Sequence, residues 1–223
     1  MHAFEVDERD SSWESDSAVF RIYVFEGAAN AVSTFDVVDA TVEEALEAAR
    51  VQSDDNRRLW SLALVHNDGR AGRGLIWLSG NDYNDVPSPV ETAAYWRARG
   101  TMQTRYLQAR SLAGESVVLP TGERSIRMFP EWSVDLPLWE SFTDNYPVAR
   151  GSLAVPGDLE KALAEWNQGW QVLADPDRSA VTSEDEWAAW HDQGRALLAH
   201  LRSALAGRAE VRPEFLTHEL PRG

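Results

Sequence analysis

Cysteine is absent from the 223 residues, which excludes disulfides, a thiolate nucleophile and a cysteine-ligated zinc. No apolar run approaches the ~18 residues of a membrane span, so a transmembrane helix is excluded as well. The opening stretch MHAFEVDERDSSWESDSA is acidic where a secretory signal needs a basic and then an apolar segment. A cytoplasmic location is the expectation. Positive charge is scarce, with 21 Lys and Arg against 36 Asp and Glu and a net charge of −15; Lys161 is the single lysine. Such a balance repels nucleic acid and anionic membranes at long range and draws the chain toward basic partners. The imbalance is uneven: acidic and basic groups number 17 and 7 in residues 1–87, 7 and 7 in 88–155, and 12 and 7 in 156–223.

Catalytic signatures are missing too. There is no H-E-x-x-H and no G-x-S-x-G, and the five histidines are scattered. His191 and His200 lie nine positions apart in one helical pattern and so face opposite sides. No metal site and no cofactor are expected. The glycine-rich stretch LVHNDGRAGRGLIWLSGNDYND (64–85) invites a phosphate-loop reading, but a phosphate loop needs a strand feeding a helix, and here a second strand follows. Gly69, Gly72 and Gly74 also fall in the wrong order, with no Lys-Ser/Thr behind them. Asn67, Asp68 and Gly69 favour a hairpin turn, with positive φ expected on them.

What is present is a substantial apolar content, 43% of residues, including ten tryptophans. After a loose acidic arm (1–17) carrying Trp13, Phe20, Ile22 and Val24 alternate with Arg21 and Tyr23, the pattern of a half-buried strand. GAAN turns it into a second strand, AVSTFDVV. Thr41 and Glu44 have capping-box spacing, and Val42, Ala45, Leu46 and Ala49 line one face of the helix that follows. LWSLALVH and RGLIWLSG are apolar at nearly every position, as expected of strands covered on both faces. NDYNDVPSPV breaks the pattern, with a subdomain boundary at 81–90 as the alternative to one integrated domain over 18–223. Residues 91–110 read as a helix weakened by Gly100, and SVVLPTGERSIRMF as a second hairpin turning at Thr121-Gly122. Two helices close the chain, one with Leu159, Leu163, Trp166, Trp170 and Leu173 in a stripe, the other with Trp187, Trp190, Leu197, Leu201 and Leu205. Ser183 and Glu186 cap the second and Gly207 stops it. The expected fold is α+β: an N-terminal ββαββ sheet with one helix, a second hairpin, and an antiparallel helical hairpin.

Candidate functional residues fall in three groups. The loop Asn81–Asp85 places Asp82 and Asp85 just after a buried strand, where loop carboxylates serve catalysis or cation binding; the competing reading is turn chemistry. His66 beside Asp68 is a weaker catalytic candidate, set against a histidine that merely flanks a turn. Arg97, Arg99, Arg105 and Arg110 with Tyr95, Trp96 and Tyr106 form a basic-aromatic run; the run does not share one face, and a solvated surface or pairing with the acidic N-terminal half is expected instead of nucleic-acid binding. Last, Trp132, Trp139, Phe142 and Tyr146 lie in an irregular, proline-punctuated segment, where exposed aromatics anchor protein interfaces or carbohydrate surfaces; the competing reading is a lid packed on the core.

LPLWESFTDNYPVARGSL, LAEWNQGW and EVRPEFL resemble a loose group of uncharacterised acidic, Trp-rich actinobacterial proteins, across about the last 85 residues. As a class, small acidic α+β chains without a catalytic motif also resemble the immunity proteins that neutralise bacterial toxins. That resemblance implies a protein-binding module acting by occlusion of a basic partner. Trp132, Trp139 and Tyr146 are its candidate anchors, and Asp82, Asp85, Glu140 and Asp144 its candidate charges. A carboxylate enzyme using the Asn81–Asp85 loop, with a divalent cation, and a self-assembling scaffold are the alternatives.

Overall fold

The alternation in residues 18–27 produces strand β1 (Val19–Glu26), whose Phe20, Ile22 and Val24 are buried. It pairs antiparallel with β2 (Ala31–Val38) over eight consecutive positions. Helix α1 (Val42–Gln52) starts at the predicted capping box: Thr41 Oγ1 accepts from the Glu44 amide and Glu44 Oε2 from the Thr41 amide. It covers one sheet face with Ala45 and Ala49, whereas Val42 and Leu46 of the expected stripe stay exposed. In this computed structural model, residues 3–11, 14–69, 72–85, 87, 92–177 and 182–217 are described; Trp13 lies outside them.

Strands β3 (Leu59–Asp68) and β4 (Gly72–Ser79) form the expected hairpin and complete a sheet ordered β2-β1-β3-β4. Positive φ in its turn falls on Gly72, at +83°, and not on Asn67 or Gly69. The two apolar runs part ways here. β3 is central, with Leu59, Trp60, Leu62 and Ala63 buried, while β4 is an edge strand with Ile76, Trp77 and Leu78 exposed, contrary to the expectation that both faces would be covered. A continuous apolar run does not say which neighbour is missing.

Helix α2 (Ala93–Leu112) packs Met102, Tyr106 and Leu107 onto Phe25 and Leu59, at one end of the other sheet face. Gly100 lies where the guanidinium of Arg212 passes: an added Cβ would stand 3.2 Å from its Nη1, and that atom donates to the Gly100 carbonyl at 2.9 Å. The turn at Thr121-Gly122 forms, but its preceding arm is not a strand. β5 (Arg124–Met128) pairs instead with β6 (Leu138–Trp139), antiparallel, and with β7 (Ala209–Pro213), parallel. β5 is therefore the centre of a three-stranded sheet.

Helices α3 (Gly157–Leu173) and α4 (Glu184–Ala204) pack over this sheet as the expected hairpin. Trp166 and Trp190 stack at 4.6 Å and 8°, each indole N–H donating to the other's carbonyl. Gly194 admits that stack, since an added Cβ would meet the Trp166 ring at 2.9 Å. Among the described residues the architecture is α+β, with four α-helices and two sheets. Among the described residues, no helix is long and apolar enough to cross a membrane.

Candidate partner-binding surface

The segment 129–156 leaves β5, supplies β6 and returns to α3. It has little regular structure, so side-chain hydrogen bonds hold it in shape. Asn167, fully buried on α3, does most of this. Its Nδ2 donates to the carbonyls of Glu131 and Val134, each at 3.0 Å, and its Oδ1 accepts from the Glu131 amide. Gln171, one turn on, donates to the same Glu131 carbonyl. The residue presented by this clamp is Trp132, 44% exposed and packed against Trp170 with ring centres 5.1 Å apart.

A second clamp lies on the far side of β6. Glu140 is buried and accepts from both Nε and Nη2 of Arg124, the first at 2.6 Å, and from Asn145 Nδ2 at 3.3 Å. Burial opposes ionisation of this carboxyl, but the Arg124 guanidinium outweighs it and holds Glu140 below its ordinary value. The chain between these partners places Phe142 at φ +63°, a left-handed conformation costing a bulky residue on the order of 1–3 kcal/mol. Phe142 and Tyr146 are exposed. Beneath them Trp139 is buried, stacked on Phe129 at 4.9 Å, against Tyr146 at 5.1 Å, and donating to the Phe129 carbonyl. The aromatic rim of this segment consists of its exposed residues Trp132, Phe142 and Tyr146, and the acidic side chains of Glu131, Asp135 and Asp144 are also open to solvent. Trp139 and Glu140 support the Phe142–Tyr146 part of that rim from inside.

The Asn81–Asp85 loop is occupied with its own geometry. Asp82 Oδ1 accepts from the Asn84 amide, Asn84 Nδ2 donates to the Asn30 carbonyl, and the Asp85 carbonyl accepts from the Tyr95 hydroxyl. Asn81 is buried, with Oδ1 unpartnered. His66 is half-buried on β3 opposite Gly74 and lines a cavity of about 520 Å³ with Ser15, Ser17 and Leu64. Among the described residues, no group of three or more His, Asp or Glu gathers as a metal site would require.

Most of the basic-aromatic run is used internally, Arg97 being exposed, and with a different partner from the one expected. Arg99 is buried and grips Glu210 of β7 with two bonds of 2.8 Å, while Gln103 links Glu210 to the Tyr83 hydroxyl and accepts from Ser125. Burial opposes the Glu210 charge; Arg99, Gln103 and Arg212 outweigh it and depress the carboxyl. Arg105 lies 3.5 Å over the Trp60 ring and donates to Ser79 Oγ and the Trp60 carbonyl. Burial pulls its guanidinium down to about 10, still protonated at neutral pH. Arg110 bridges to Glu115. This network joins the four-stranded sheet to the three-stranded one. The pattern that reveals it in the sequence is Arg99 and Gln103 lying on the same helical stripe as Trp96 and Tyr106, where a charge must be paired if it is buried.

A family model described as "Serratia CdiI immunity protein-like" matches residues 124–213, less than half of the chain. That span runs from the first residue of β5 to the last of β7 and includes the whole aromatic rim. No curated protein and no solved structure matches the chain.

Proposed function

We propose that this chain is an immunity-type protein that binds a toxin and neutralises it by occlusion. The observation that carries this reading is the coincidence of the immunity-family match with the region that builds a clamped, exposed aromatic rim. Asn167 and Glu140 fix the segment before any partner arrives, so little ordering entropy is lost on docking. Trp132 and Tyr146 are the anchors, with Asp144 and the neighbouring Glu131 and Asp135 as the charges that meet a basic partner. The net charge of −15 steers such a partner from a distance. Trp139 and Glu140 act from behind, as support.

The test is affinity capture from the producing cells' lysate, followed by expression of the captured protein with and without this chain. A stoichiometric partner that halts growth alone and is harmless in coexpression is the expected outcome. Trp132→Ala should weaken that complex by about 2 kcal/mol or more, roughly thirtyfold, with the fold intact. Raising the salt should slow association and leave dissociation nearly unchanged. A partner with no toxicity, or none retained at any salt, sinks the reading; a salt-independent association rate sinks the steering alone.

A further inference from the structure

The edges of the two sheets are finished differently. On the smaller sheet, β6 is only two residues long, and the outer strand β7 is buried, with Arg202 of α4 donating through Nε and Nη2 to the Val211 carbonyl. On the larger sheet, β4 carries two glycines, has a register irregularity at Leu62/Ala63, and ends beside α2, where Trp77, Leu78, Ala94 and Thr101 line a cavity of about 470 Å³. Short strands, bulges and covering elements are the usual ways in which an edge is kept from pairing with another chain.

Strand β2 has none of these. It runs straight for eight residues, about 26 Å at the usual rise, without glycine, proline, lysine or arginine. Val32, Phe35 and Val38 are exposed, and among the described residues no side chain caps its outer backbone. Its single charge, Asp36, is already held by Arg21 at 2.6 Å and by Arg73 at 3.0 Å. The strand therefore presents an open ladder with no charge in search of a basic partner.

We infer that β2 is a self-pairing edge, and that a second copy of this chain docks on it antiparallel about a two-fold axis through Phe35. In that register Phe35 faces its own counterpart, Val32 faces Val38, Ser33 faces Val37 and Thr34 faces Asp36, so every pair shares a face and no like charges stand opposite. An axis through Asp36 would set two carboxylates against each other, and one through Thr34 would set Val32 against Asp36. The result is a continuous eight-stranded sheet. Each copy carries −15, so the dimer tightens as salt rises, the opposite of the toxin encounter. The inference stands independently of the immunity reading, since it uses a different surface.

The experiment is sedimentation equilibrium of the full chain at 20 and 500 mM NaCl. A mass of twice 24.9 kDa, reached at lower protein concentration in high salt, is expected. Phe35→Lys and Val38→Lys should each weaken the dimer more than roughly tenfold while leaving the circular dichroism unchanged, because both positions are exposed. The absence of cysteine allows a test of register: under mild oxidation Phe35→Cys should give a covalent dimer and Val38→Cys alone should not. A chain that stays monomeric at both salts, or a dimer that both lysine variants leave intact, overturns the inference. Equal cross-linking at the two positions overturns the register.

Discussion

The four-stranded and three-stranded sheets cover themselves to very different degrees. Around the three-stranded sheet, one continuous cluster runs from Ile126 through Trp166 and Trp190 to Phe215, and every strand edge is short or capped. Around the four-stranded sheet, the core splits into two smaller clusters on opposite faces, one under α1 and one under α2, and the outer strands β2 and β4 lie largely open. Aromatic mass explains the contrast. Trp166, Trp187 and Trp190 each bury a large surface from a helix, whereas α1 brings only Ala45 and Ala49 to its sheet. The better-filled region is the one that matches the immunity family. A surface meant to bind without rearranging benefits from a filled core behind it.

The largest break in this comparison should come from Trp166→Ala. The side chain is fully buried, the Trp190 carbonyl loses the indole N–H that donates to it, and the cavity left behind is lined by Trp190 and Phe215. Urea unfolding should show a loss of about 3–5 kcal/mol. The equivalent deletion on the other side, Leu46→Ala on α1, removes an exposed group and should cost far less. A loss from Leu46→Ala as large as that from Trp166→Ala would mean that α1 is held to its sheet by more than Ala45 and Ala49.

Next in size is the junction. Arg99→Ala leaves the half-buried Glu210 without its principal partner, and should destabilise the chain by about 3 kcal/mol. The sign of its pH dependence follows from the depressed carboxyls of Glu210 and Glu140. Their stabilising contribution is fully present above the ordinary value near 4.5 and is lost as the pH falls through their lowered folded values. The natural chain should therefore weaken steeply in acid below about pH 4.5. In Arg99→Ala, Glu210 no longer has that guanidinium, so the acid slope should flatten. Urea melts between pH 3 and 7 decide it; parallel slopes in the two proteins would remove Glu210 as the acid-sensitive group.

How much of this was legible in the sequence depended on range. The β1–β2 and β3–β4 hairpins, both capping boxes and the Trp stripes of α3 and α4 are encoded by neighbours within a few residues of each other, and they formed where the spacing put them. β7 was missed: Ala209–Pro213 has no alternation and contains a proline, and its pairing is parallel to a strand far earlier in the chain. β4 was misjudged because a long apolar run reads the same in the centre of a sheet and at its edge. Glu140 was expected to carry surface charge and is buried; what local spacing cannot show is that Arg124, sixteen residues earlier, is its partner. Trp132, Trp139, Phe142 and Tyr146 are legible as aromatics of an irregular segment because of the prolines around them, but nothing local shows that Trp139 is the buried one and the other three are exposed. The clamps that hold them, Asn167 and Gln171, were invisible as such.

The smallest effect is the sharpest comparison, because the two regions contain the same device. Thr41 with Glu44 and Ser183 with Glu186 are both complete capping boxes, in which a backbone amide donates to the hydroxyl at 3.2 Å and another to the carboxylate at 2.8 Å. Removing either hydroxyl costs about 1 kcal/mol of local stability. On α1, eleven residues long and holding only two alanines in the core, that loss is a large share of what keeps the helix in place. On α4, twenty-one residues long and anchored by Trp187, Trp190, Leu197, Leu198 and Leu201, it is not. Amide hydrogen exchange should accordingly show Thr41→Ala opening α1 along its whole length, and Ser183→Ala fraying only the first turn of α4. If Ser183→Ala opens α4 as widely, the helix is held by its cap and not by its tryptophans, and the contrast between the two regions fails at its root.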